Sequence, residues 1–283
     1  MLLPSSALAS AALVSRTPLS GPYETRHSTL QVPDPLGGTI DLYEPLNTTQ
    51  PSRLVSFAHG AEGGTIVLPV VYHSLLHSLA AWGYVVAATR SCFMGTEVCR
   101  YYEHQLKVIE FARGEASKGV APFASLNFSG GVGIAGHSMG GEATLFSSEA
   151  SHASAYNISA AVMLHAYTHV HPAPSVPFLA FTGTTDTTAA MSMSEKFYAA
   201  ASPTLPRGLV EKINATHQEP TDYNDGKEPV RRSQRLWALS PAVPDASLSV
   251  CGSTIRTCSS LWLGGSSCTS TAPPALSVST GIN

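Results

Sequence analysis

An α/β fold built on a mostly parallel, doubly wound sheet is what this sequence predicts, and three observations predict it. Strand-like and helix-like segments alternate along most of the 283 residues, as they do when crossover helices link parallel strands. The apolar run Val132-Gly133-Ile134-Ala135 passes straight into Gly136-His137-Ser138-Met139-Gly140-Gly141, a G-x-S-x-G turn that precedes the helix-like stretch Glu142–Ser147. No linker divides the chain before about residue 240, and its length suffices for one large core.

The elements follow in order. Ser28–Val32 and Gly38–Tyr43 alternate apolar and polar residues around Pro and Gly, which predicts an antiparallel hairpin. Arg53–Ala58 reads as a buried strand ending at His59-Gly60. Val70–Trp82 carries Val71, Leu75, Leu76 and Leu79 at helical spacing and stops before Gly83. Tyr84–Thr89 is almost wholly apolar, as a parallel strand covered on both faces is. Tyr101–Ala112 is amphipathic through Leu106, Ile109 and Phe111. After the strand and helix of 131–150, Ala160–His165 and Val176–Thr182 read as strands joined by a proline-rich link. Thr187–Ala201 reads as a helix and Gly208–Asn214 as the last strand. The expected organisation is a targeting or disordered segment at 1–22, one domain over 23–240, and an irregular, partly disordered tail over 241–283.

Composition excludes several classes. Charged residues make up 12% of the chain and the net charge is −3, so there is no footprint for nucleic acid. No uninterrupted apolar stretch reaches the roughly 18–20 residues of a transmembrane segment. Cys92 and Cys99 bracket a short loop that a disulfide could close, or stand as two free thiols; Cys251 and Cys258 could form a second pair, leaving Cys268 odd. Asn47, Asn127, Asn157 and Asn214 lie in N-x-S/T sequons, four of the six asparagines, which favours a secretory setting. Leu2-Leu3 and Ala7–Val14 resemble the core of a signal peptide without its basic start, and a plastid transit peptide is the alternative.

The glycines around Ser138 suit a tight turn that lifts a hydroxyl clear of the backbone, with the following helix pointing N–H groups at the site. In this strand–turn–helix context the acid and then the histidine follow the serine along the chain. Asp186 ends the strand-following run Phe181–Asp186 and could accept a histidine Nδ1–H; the alternative is an N-cap for the next helix. His217, after the last strand, is the candidate base, since Asp222 and Asp225 come too late to supply the acid in this order. The two oxyanion donors expected are the N–H groups of Met139 and of Ala61, the latter in the glycine-rich loop His59–Gly64. His59, Gly60, His137 and His165 are expected to line the substrate cleft. His165, His169 and His171 could ligate zinc by number, but they lack the rigid helical spacing of a metal motif, so neither a metal nor a cofactor is expected. His73, His77 and His104 fall within helices, and His27 and His152 outside any motif.

Taken together, H-G-A-E-G-G, G-H-S-M-G-G, G-T-T-D and T-H-Q-E resemble the α/β-hydrolase superfamily, in its cutinase-like polyesterase and chlorophyllase-like branch. Tyr72–Arg90 is similar to that branch as well, and the likeness spans roughly residues 25–225. It implies an α/β-hydrolase fold without a lid domain, and Ser138, Asp186 and His217 as a triad with Ala61 and Met139 as oxyanion donors. Chlorophyllases usually carry arginine where Met139 stands. The implied activity is hydrolysis of carboxylic esters, including bulky, lipid-like or polymeric ones, because only about ten residues separate His165 from Val176, too few for a helical flap. A non-catalytic binding protein on the same fold is the rival of another class.

Overall fold

The computed structural model describes residues 21–32, 39–61, 68–90, 101–223, 246–251 and 254–258. The described chain folds as an α/β unit whose strands lie side by side in the order β1-β2-β4-β3-β5-β6-β7-β8-β9-β10. These are β1 (Thr25–Gln31), β2 (Thr39–Pro45), β3 (Arg53–Ala58), β4 (Tyr84–Thr89), β5 (Val132–His137), β6 (Ile158–Leu164), β7 (Phe178–Gly183), β8 (Arg207–Lys212), β9 (Ala246–Cys251) and β10 (Thr254–Cys258). The run from β4 to β9 is parallel throughout. The hairpin β1–β2 joins it antiparallel at one edge and β10 closes the other.

Alternation along the strands explains why helices cover both faces. Leu54, Val85 and Ile134 join one apolar cluster with Leu106, Ile109, Leu145 and Phe197, whereas Val55, Val86 and Ala135 join another with Leu75, Leu76 and Leu79. The first cluster packs under α3 (Tyr101–Ser117), α4 (Met139–Ser147), α5 (Ala150–Ala155) and α6 (Met191–Ala200); the second packs under α2 (His73–Ala81), which follows the short α1 (Leu68–Val71). Each Val, Leu, Ile or Phe side chain so removed from water contributes about 1.5–3 kcal/mol.

Departures from the expected elements have local causes. The helix expected over 70–82 is broken at Tyr72, whose backbone leaves helical geometry at φ −122°. The helix expected from Thr187 starts only at Met191, because the Asp186 carboxylate captures the N–H groups of Thr188 and Ala189 and holds a turn there. The tail expected to be irregular from 241 contains β9 and β10. There Ser247-Leu248-Ser249-Val250 has the period-two alternation of a strand, and β9 adds to the free edge of β8. Register also rules against pairing Cys251 with Cys258. Cys251 lies opposite Thr254 and Cys258 opposite Ser247, four positions or about 13 Å away along the strand. The proposed Cys92–Cys99 bridge, Cys268 and the segment 1–20 lie outside the described residues.

Chain order reverses direction across the sheet between β3 and β5, since β4 lies on one side of β3 and β5 on the other. Loops leaving the carboxyl ends of these two strands therefore diverge and leave a crevice, the place where open α/β sheets bind ligands. Ser138 stands at that point.

Candidate active site

Ser138 sits between β5 and α4 with φ 56° and ψ −120°, a strained conformation for a residue with a side chain. The neighbouring glycines make the turn sterically feasible. A Cβ on Gly136 would lie 2.1 Å from Gly140 O, and one on Gly140 would lie 2.1 Å from Ala58 O. Ser138 O accepts the N–H groups of Gly141, Glu142 and Tyr167, which fastens the elbow to the start of α4 and to the loop after β6.

Three residues far apart in sequence converge here. Ser138 Oγ–H donates to His217 Nε2 at 2.8 Å, and His217 Nδ1–H donates to Asp186 Oδ2 at 2.9 Å. Ser138, Asp186 and His217 are 7%, 7% and 9% exposed, so the relay lies in a largely water-free setting that strengthens its electrostatics. The loops bearing Asp186 and His217 are laced together. Thr185 N–H and Oγ1–H both donate to Ala215 O, Thr184 N–H donates to Lys212 O, and Asn214 N–H donates to Thr184 Oγ1. The two alternatives for Asp186 coexist in one carboxylate: Oδ1 caps the turn through Thr188 and Ala189 N–H, while Oδ2 faces His217. Burial pushes the Asp186 carboxyl upward, but hydrogen bonds from His165, His217 and Ala189 outweigh it and hold the group below the usual carboxylate range.

His59, His137 and His165, expected to line the cleft, are all buried. His137 forms a strut. Its Nε2 faces His217 O at 2.9 Å, an atom that only accepts, so Nε2 carries the hydrogen and Nδ1 accepts from Tyr72 OH at 2.8 Å. Tyr72 OH in turn accepts Gly60 N–H at 2.9 Å. Burial first, then the neighbouring His217 and His165, push His137 well below the ordinary imidazole range, so it stays neutral. The chain Gly60–Tyr72–His137–His217 ties the loop after β3 to His217. Gly60 is buried against the elbow as well: a Cβ on it would lie 3.1 Å from Ser138 Cβ. Ala61 follows at the end of the described part of that loop, and Met139 opens α4 with its N–H ahead of the first helical bonds.

His169 hydrogen-bonds Tyr167 OH, and neither it nor His171 joins His165 in a ligand cluster among the described residues. The set with metal-like proximity is His165, Asp186 and His217, with ligand atoms within 4.8 Å of one another. Both imidazoles of that set face one carboxylate oxygen at hydrogen-bond distance. Tyr72 is a neighbour of the site that sequence reading missed; His165 was expected in the cleft, but its bond to Asp186 was not foreseen. The only signal for His165 was its place at the carboxyl end of a central strand, and Tyr72 carried none beyond interrupting a helix. No family model matches the chain, and no curated relative matches it.

Proposed function

We propose that this chain is a serine hydrolase of α/β-hydrolase fold that cleaves carboxylic esters through an acyl-enzyme. The observation that carries the reading is the unbroken sequence of contacts from Ser138 Oγ through His217 to Asp186, at 2.8 and 2.9 Å. In this scheme His217 Nε2 takes the Ser138 proton as Oγ attacks the ester carbonyl, and Asp186 stabilises the imidazolium that forms. The N–H groups of Met139 and Ala61 receive the oxyanion. His217 returns its proton to the leaving alcohol; it then activates the water that releases the acid and restores Ser138.

Between β6 and β7 the described chain carries no helix, which supports an open, lidless approach and substrates that are bulky, lipid-like or polymeric. Among the described residues no helix is long and apolar enough to cross a membrane. The four sequon asparagines Asn47, Asn127, Asn157 and Asn214 are all exposed, in keeping with a secreted protein. A fluorophosphonate probe tests the reading directly. Wild type should be labelled at Ser138 and Ser138→Ala left unlabelled. Folded wild type that resists the probe would favour the binding-protein alternative.

A further inference from the structure

Asp186 receives two imidazole N–H groups, and the proposed reaction uses one. His165 Nδ1–H donates to Asp186 Oδ2 at 2.8 Å, the same oxygen that His217 Nδ1–H reaches at 2.9 Å. Thr188 and Ala189 occupy Oδ1. His165 is 1% exposed and adopts φ 45°, a left-handed backbone uncommon for residues with a side chain, though histidine takes it more readily than most. That turn comes directly after β6 and sends the ring towards Asp186. On β7 the absence of a side chain leaves the ring its space, since a Cβ at Gly183 would lie 3.0 Å from His165 Cε1. The second ring nitrogen faces Glu219 Oε2 at 3.9 Å, too far for a hydrogen bond, and Glu219 is paired with Lys212.

We propose that His165 is a positioning residue for this site, a second imidazole that anchors Asp186 and sets how strongly the carboxylate draws on His217. The proposal rests on the serine-hydrolase reading. A donor sharing Oδ2 stabilises the carboxylate and competes with the Nδ1–H of His217 for that oxygen; its loss leaves the carboxylate freer to hold an imidazolium. The same donor also leaves the carboxylate with all four donors satisfied in one orientation. The titratable groups around His217, Asp186 and His165 are His137 from the β5 end and, facing His165, Glu219 paired with Lys212 from β8 and its following loop. His165 bonds Asp186 without bonding Ser138 or His217.

The test compares the pH dependence of ester turnover in wild type, His165→Asn and His165→Leu. Asparagine tolerates the left-handed backbone and places an amide N–H where Nδ1–H stands. His165→Asn should keep the acid limb and kcat close to wild type. His165→Leu should move the acid limb upward by about one pH unit and lower kcat about tenfold with KM little changed, as expected when a hydrogen bond to a charged group is lost. Proton NMR reads the arrangement without turnover: apart from any signal of His27 at Asp41, wild type should show two low-field imidazole N–H signals, assigned to His165 and His217 at Asp186. A single such signal in wild type, or acid limb and kcat unchanged in His165→Leu, overturns the role of His165 and leaves the hydrolase reading standing. Wild type that neither turns over esters nor reacts with fluorophosphonate sinks that reading instead, and the two failures are distinct.

Discussion

Asp41 and Asp186 are both carboxylates with side chains fully removed from water, and both bond an imidazole, yet their surroundings suit different work. Asp41, on β2, is gripped by Arg90 through Nε at 2.6 Å and Nη2 at 2.9 Å, with His27 and Thr29 adding donors. Asp186 is held by two imidazoles and two backbone N–H groups. At each, burial raises the pKa and hydrogen bonds more than reverse it, led by Arg90 at Asp41 and by His165 and His217 at Asp186. A guanidinium is a permanent cation and cancels the charge it meets. Neutral donors stabilise a carboxylate while leaving its field available to an imidazolium that forms and vanishes during a reaction. Counter-charge, more than burial, separates the surroundings of the two acids.

The largest effect that would break this contrast is on turnover. Asp186→Asn should lower kcat about 10⁴-fold through the wrong histidine tautomer, while Asp41→Asn leaves the kcat of the folded protein near wild type. Comparable losses of kcat in both, measured on ester substrate with folded protein, would erase the distinction. A smaller effect appears in stability. Arg90→Met strands a buried charge and should cost about 3–5 kcal/mol in denaturant unfolding. The same change should flatten the acid limb of stability. A carboxylate depressed in the folded state stabilises above its unfolded pKa, here near 3.8, and that contribution disappears as pH falls further.

The smallest expected effect lies beside Asp41, where His27 stacks on Tyr43 and His73 and His77 pack edge-on around them. Burial, then the neighbouring His73 and His27, lower His77 from 6.5 to about 4. Between these values the unfolded chain takes up a proton that the folded chain refuses, so stability falls as pH drops through that window. His77→Gln should remove part of this slope in melting temperature measured from pH 7 to 4; an unchanged slope would assign it to other groups.

Much of the sheet was legible in the sequence. Arg53–Ala58 and Tyr84–Thr89 read as strands because their apolar runs are short and stop at His59-Gly60 or start after Gly83, and both occur as read. Helix starts were less legible. Tyr72 and Asp186 interrupt periodic segments through hydrogen bonds to residues or backbone that the pattern does not register. The hairpin β9–β10 was missed because its Ser- and Thr-rich composition resembles a loop, although pairing with β8 is what gives it a place.

Local sequence determined the elbow at Ser138, because the tight turn needs Gly136 and Gly140 at fixed offsets and those offsets are visible in any chain that carries them. It also marked Asp186 and His217 as strand-end candidates. Only the tertiary structure decided that His137 braces His217 while His165 anchors Asp186. These roles depend on which imidazole nitrogen lies within about 3 Å of which oxygen, across separations of 80 and 21 residues. A hydrogen bond is directional and short, so residue type can propose its partners but only the packed sheet can choose among them.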